Sequence, residues 1–471
     1  MHDAASRPPE LTGLAALRAG WQFARDPLRA MRVNYETYGP VLVIGQALPF
    51  VSYPNAALLG MPLILTAGAV LNREVLNNPA AWRSISFLPG GPRNSAARRL
   101  SDNLTRMTGR RHAHYRKLIA APLQKHSVDA LGEDMVRLAQ EAVASWPTGA
   151  PVDLGQCVYR LVRLIAIDLL FGADRTLGYQ IADMASHMME RKWSASAMSL
   201  KANLPVTAYG RSLREAEALE RCVIAWAEKK QGRTDARDLV SIIVNSPDPD
   251  GNPAGAAAIA GGIPALVTMS SEACQISLIW ASLLLAQHPH VARELLDELA
   301  GAPLSADTIV KLPRLDAVIK ETMRILPPVP LQMRVAERET ALLGWPVPKA
   351  ARLVLSAFVT NRMPDLYPEP DRFLPERWST IDPSVFEYLV FSGGPRNCPG
   401  YLFGMKVMKV ALAAMLTAYR LETSPAARFD YRVLPTLRPA GSVPVILRRQ
   451  DGAFAAAPIR GNVRSLVRFP Q

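Results

Sequence analysis

Residues 391–400 read FSGGPRNCPG and set Cys398 among three glycines, two prolines and Arg396. The apolar-periodic run that follows, YLFGMKVMKVALAAMLTAYRL, predicts a helix, so Cys398 falls at a loop-to-helix junction. Unpaired backbone N–H groups and the helix dipole at such a junction favour a thiolate. Gly393, Gly394 and Gly400 let backbone approach a flat ligand closely, and Arg396 adds a permanent cation. The stretch is suited to hold a sulfur against something planar and anionic. On these residues alone a reactive thiol, a metal ligand and an ordinary glycine-proline loop all stand.

Three further groups carry chemistry. In KETMR, Glu321 and Arg324 are three apart, a spacing that on an exposed helix makes only a modest ion pair. In GRRHAHYRKLI, His112 and Arg116 are four apart and share one helical face. In the long apolar stretch 261–286, the segment MSSEAC puts Glu272 beside Ser270, Ser271 and Ala273, and an acid in the middle of such a stretch points to a pocket.

The pattern Phe-x-x-Gly-x-Arg-x-Cys-x-Gly, met by Phe391, Gly394, Arg396, Cys398 and Gly400, resembles the haem-ligand signature of the cytochrome P450 family. Glu321 and Arg324 match that family's Glu-x-x-Arg pair, and YPEPDRFLPERW resembles its meander, with Arg377 as third partner. The resemblance covers about residues 35–450. It implies that Cys398 is the axial ligand to the iron of a haem b (iron protoporphyrin IX). It implies that Phe391 and the surrounding backbone shield the sulfur, and that His112, Arg116, Arg334 and Arg396 meet the propionates. Glu321, Arg324 and Arg377 are then a buried structural network on the proximal side. The implied fold is mainly α (α+β), a large helical domain with a smaller β-rich subdomain. The implied activity inserts one oxygen atom from dioxygen into a largely hydrophobic small molecule. Its electrons come from separate proteins, a ferredoxin or flavodoxin with its reductase, because no such module lies within the chain.

One motif departs from the family. Its members usually carry Ala/Gly-Gly-x-Asp/Glu-Thr-Thr/Ser before a His-Pro break, and counting back from Pro289 gives MSSEAC. Glu272 takes the acid position, Ala273 stands where threonine is usual, and Ser270 where glycine is usual. Ser270, Ser271, an ordered water or a substrate hydroxyl is then a candidate for the missing hydroxyl. Alternatively Glu272 suffices and Ala273 makes room for substrate. A further alternative is that the protein uses peroxide, or rearranges an already oxidised substrate, without reductive oxygen activation. A non-catalytic haem sensor is the reading from a different class.

The elements that must position these residues are mostly helical. Residues 35–75 carry short β-like runs, helical periodicity dominates from 104 to 330, and short strands return beyond 330. In HSVDALGEDMVRLAQEAVASW, Ser127 reads as an N-cap with Glu133 and Asp134 early in the helix. The segments 82–103 and 173–210 border the expected pocket, and Met188, Met189, Trp193 and Met198 there read equally as pocket lining or plain core. The expected divisions are an N-terminal segment 1–34, the main domain 35–450 and a basic tail 451–471.

Composition narrows the function classes. The chain of 471 residues is 49% hydrophobic and 20% charged, which suits an ordered globular protein. Its four cysteines, Cys157, Cys222, Cys274 and Cys398, form no CxxC pair or zinc-spaced cluster. The net charge of +13 comes without a basic stripe interleaved with aromatics, so no nucleic acid partner is expected. A basic face that attracts an acidic protein partner is one reading of that charge, and a bias toward arginine is another. Asp3 and the lack of a long apolar N-terminal run argue against a secretory signal. The expectation is a cytoplasmic monomer without stable membrane insertion, active in secondary metabolism.

Overall fold

The computed structural model describes residues 7–45, 61–85, 90–194, 196–197, 200–233, 238–252, 261–424 and 427–470. Helices make up most of it, in a body organised around one central helix, Gly262–Gln287. From Cys274 onward this helix is buried on nearly every side, Gln275 and Ala286 being the exceptions. That explains its apolar composition without a single hydrophobic stripe. It ends where Pro289 starts the next helix, as the His-Pro break predicts. It packs against the helices Leu154–Phe171 and Tyr401–Ala418. At the second crossing Cys274 Sγ lies 3.8 Å from Gly404 O, and a Cβ at 404 would meet the same sulfur at 3.5 Å, an ordinary packing distance. The central helix and Tyr401–Ala418 are long and apolar enough to cross a membrane, but most of each is buried inside the protein.

The β-rich part is a six-stranded sheet in the spatial order Glu10–Leu11, Val41–Ile44, Leu63–Thr66, Arg352–Ser356, Leu331–Ala336, Trp82–Ser84. Its register places Ser84 opposite Arg334. Trp82, Leu353 and Leu355 are buried in a second core under this sheet. Near the C-terminus the strands Tyr431–Val433 and Leu437–Pro439 form an antiparallel hairpin with Val433 opposite Leu437. Trp280 of the central helix donates its Nε1–H to Leu437 O at 2.9 Å, which fixes the hairpin to that helix.

Three local expectations need restating. Ser127 does not cap the long helix. It lies within a short helix, Lys125–Ala130, and the longer helix starts at Gly132 with Glu133 and Asp134 in its first turn. The segment expected as a basic tail is packed onto the body. Ile459, Val463, Leu466, Val467 and Phe469 are buried, and Arg468 N donates to Asp371 O at 2.7 Å. Its alternation of apolar and basic residues conceals this, because the arginines stay at the surface while the apolar side chains turn inward. Met188 and Met189 join the core with Trp193 packed against it, and Met198 lies outside the described residues.

Candidate functional site

The 391–400 loop is shaped by close backbone approaches. Gly394 has φ +63°, and a Cβ there would stand 2.5 Å from Leu76 O, so glycine is required. Cys398 N donates to Phe391 O at 2.9 Å, which closes the loop around the sulfur. The Phe391 ring meets Tyr401 edge-on with centroids 4.8 Å apart. Gly400 immediately precedes the Tyr401–Ala418 helix, and a Cβ on it would lie 3.9 Å from Cys398 Sγ. Cys398 is solvent-accessible, yet enough of the fold surrounds it for desolvation to dominate its titration, so its sulfur lines a cleft.

That surrounding overrides one expectation. Desolvation pushes the Cys398 thiol above its ordinary value, although the Gly400 N–H and Arg116 pull the other way. The helix N-terminus alone does not make the thiolate. A bound metal cation would, because coordination deprotonates a thiol outright.

Four basic side chains converge beside this loop. Arg396 donates to Leu104 O at 3.2 Å and Met107 O at 2.6 Å. Arg334 is buried, with Nη1 to Met333 O at 2.9 Å, and burial followed by repulsion from Arg396 lowers its pKa to about 10. Arg116 bonds Asn397 O at 2.8 Å and the Asn397 side chain. His112, on the same helical face, is buried; burial, then Arg396 and Arg116, lower its pKa to about 4, so it is neutral at neutral pH. None of the four has a carboxylate partner among the described residues. Uncompensated cations this close, one of them fully enclosed, fit a ligand that brings two negative charges. With a thiol facing a cleft next to them, the donor set fits a haem and its propionates.

A buried ionic network supports the site from below. Arg324 donates to both oxygens of Glu321 at 2.8 Å, and neither side chain is exposed. Glu321 Oε1 also accepts from Arg377 Nε at 3.1 Å and Leu374 N at 3.0 Å. Burial would raise the Glu321 carboxyl, but Arg324, Arg377 and these bonds outweigh it and hold it below its ordinary value. Trp378 Nε1 completes the set at 3.0 Å from Glu321 Oε2. Sequence reasoning missed Trp378, although it directly follows Arg377. It also missed Arg362, which donates to Asp371 Oδ1 at 3.0 Å and to Leu466 O at 3.1 Å.

On the central helix, Glu272 and Ala273 lie one turn or less from Cys274, which neighbours Cys398 electrostatically. Ser270 and Ser271 both donate to Val267 O, at 3.1 and 3.0 Å. Thr268 and Ser282 bond back along the helix in the same way. Ser277, one turn beyond Ala273, is different: its buried Oγ has no hydrogen-bond partner among the described residues. Glu272 is anchored by the hairpin, with Oε1 accepting from Arg438 Nη2 and Thr436 Oγ1, both at 2.8 Å. Nothing in the motif MSSEAC signals a partner so far along the chain.

A family model described as Cytochrome P450 matches residues 84–433. Two proteins of Streptomyces melanosporofaciens are similar to this chain. Cyclooctat-9-en-7-ol 5-monooxygenase is 25% identical over 75% of this chain and 79% of its own length. Cyclooctatin synthase is 26% identical over 79% and 83%. Among solved structures, retinoic acid-bound cyanobacterial CYP120A1 superposes with a TM-score of 0.77 at 23% identity, covering 94% of this chain and 99% of its own.

Proposed function

This chain belongs to the cytochrome P450 family, and from that premise we propose that it inserts one oxygen atom from dioxygen into a largely hydrophobic small molecule. The family is one of haem-iron monooxygenases served by redox partners. We read the haem as haem b and the partners as a ferredoxin or flavodoxin with its reductase. The observation that carries the assignment is the meeting of Cys398 with four basic side chains that have no carboxylate partner among the described residues.

In this reading Cys398 Sγ would hold the haem iron, and the Phe391 ring with the loop backbone would shield the sulfur from water. Arg334, Arg396, Arg116 and neutral His112 hold the propionates. When bound, the haem iron supplies the reductive activation of dioxygen and the oxygen transfer. The chain's own task on the opposite face is to exclude bulk water and deliver protons. Glu272 is the group placed to do it, since Ser270 and Ser271 are committed to Val267 O. In this reading Ala273 makes room for substrate.

The names of the two Streptomyces relatives support an apolar substrate and a role in secondary metabolism. The net charge of +13 supports an acidic redox partner, and we place the enzyme in the cytoplasm as a monomer. Reductant-dependent product formation with a ferredoxin and its reductase tests the reading, and its rate should fall as salt rises. Ala273 and the two committed serines favour one second reading, use of peroxide. Product made from hydrogen peroxide alone, and none with the redox partners, would establish that reading instead.

A further inference from the structure

We infer that Arg438, together with Thr436, is a positioning residue for proton delivery: it holds one oxygen of Glu272 so that the other carries the proton. The inference rests on the monooxygenase reading above. Its starting point is that both donors converge on a single atom. Arg438 Nη2 and Thr436 Oγ1 each lie 2.8 Å from Glu272 Oε1, whereas Glu272 Oε2 has no hydrogen-bond partner among the described residues. An oxygen that already accepts two hydrogen bonds, one from a guanidinium, is a poor proton acceptor. Protonation is thereby directed to Oε2.

The clamp is itself rigid. Arg438 Nε donates to Thr436 Oγ1 at 3.1 Å, and Arg438 Nη2 also donates to Leu434 O at 3.0 Å, so one guanidinium ties the hairpin turn to the acid. The turn cannot drift, because Leu437 N donates to Pro328 O at 3.0 Å while Leu437 O accepts from Trp280, eight residues beyond Glu272 on the same helix. Lysine could supply the charge at this position but not the fork. Ala273 offers no hydroxyl to orient the carboxylate from the neighbouring position, so orientation comes from the hairpin.

The pair is also placed to exchange with water. The side chains of Glu272 and Arg438 are 21% and 26% exposed, so the pair is only partly shielded from solvent. A proton taken from solvent onto Oε2 leaves from the same oxygen, and the carboxylate is regenerated. No bond other than O–H forms or breaks, and the arginine keeps its charge throughout.

The test uses the haem-loaded enzyme with a ferredoxin, its reductase, reduced nicotinamide cofactor and dioxygen, with no organic substrate. Dioxygen then leaves either as hydrogen peroxide, consuming two electrons and two protons, or as water, consuming four of each. Slow reduction also raises the peroxide share, through released superoxide that dismutates, so the water shares of the variants are compared at matched rates of electron delivery. Arg438→Ala should at least halve that share, Thr436→Val should lower it less, and Arg438→Lys should recover part of it. The double variant Glu272→Gln/Arg438→Ala should match Glu272→Gln alone, because the arginine acts through the acid. Hydrogen exchange in 431–439 should quicken in Arg438→Ala, a readout independent of turnover. If Arg438→Ala does not fold, the Lys and Val variants carry the comparison. An unchanged water share with quickened exchange would make Arg438 a structural residue only and overturn the inference. So would wild-type enzyme that releases all its dioxygen as peroxide. No oxygen consumption by the wild type would instead defeat the monooxygenase reading, and this inference with it.

Discussion

Glu321 and Arg324, one turn apart on the helix Pro313–Ile325, are joined by two parallel hydrogen bonds of 2.8 Å with neither side chain exposed. The same guanidinium reaches Asn361 O, Pro370 O and Arg372 O, so it also sets the course of the loop that leads to the cysteine. Removing the acid would leave Arg324 and Arg377 buried without a counter-charge. Glu321→Gln, though nearly isosteric, is expected to cost about 3–5 kcal/mol and to lower haem content per chain. Urea unfolding and haem titration of the purified variant check this.

His288, at the end of the central helix, donates Nδ1–H to Leu284 O at 2.7 Å and packs against Phe373. Burial lowers its pKa from 6.5 to about 4. Between these values the unfolded chain binds a proton that the folded protein excludes, so stability rises with pH across the window. The contribution is complete above about pH 6.5 and is lost by about pH 4, roughly 3 kcal/mol in all. Unfolding free energies from pH 4 to 7 should show this slope, and His288→Asn should reduce it, the remainder including the parallel share of His112, whose pKa is lowered to the same range.

Ser277 keeps a buried hydroxyl without a partner among the described residues, whereas Ser282 spends its own on Leu278 O at 2.8 Å. Burying an unpaired hydroxyl is unfavourable. Ser277→Ala should therefore leave stability unchanged or raise it by about 1 kcal/mol, measured by thermal unfolding. A loss of more than that would show that the hydroxyl has a partner.

The C-terminal segment should behave as part of the fold. Its apolar side chains Ile459, Val463, Leu466, Val467 and Phe469 are buried, and Leu466 O accepts from the enclosed Arg362. At about 1.5–3 kcal/mol for each large apolar side chain, deleting residues 459–471 should cost more than about 5 kcal/mol. Thermal unfolding of the truncated chain measures it, and an unchanged midpoint would restore the tail reading.

The sequence made the cysteine loop and the acid-base pair legible because both are local: fixed residue types at fixed spacing, with glycine at 394 where φ is positive and the backbone passes close to Leu76. The convergence of His112, Arg116, Arg334 and Arg396 came from resemblance, since the helix that carries the first two, the strand of Arg334 and the loop of Arg396 are brought together only by the fold. Trp378 and Arg362 were not legible, because an indole in the meander or a guanidinium just after a short helix carries no periodic signal. Arg438 was hidden for the same reason, its partner Glu272 being far away in sequence. The tail was misjudged from composition: the arginines that made it look free line the outside of a strap whose apolar residues face inward.

The central claim is that Cys398 holds a haem iron through its sulfur. The most direct measurement is the difference spectrum of the reduced protein with carbon monoxide. The wild type should give the strongly red-shifted main band of a thiolate-ligated haem, and Cys398→Ser should lose it. A histidine-type band in the wild type, or a thiolate-type band that survives Cys398→Ser, would contradict the assignment.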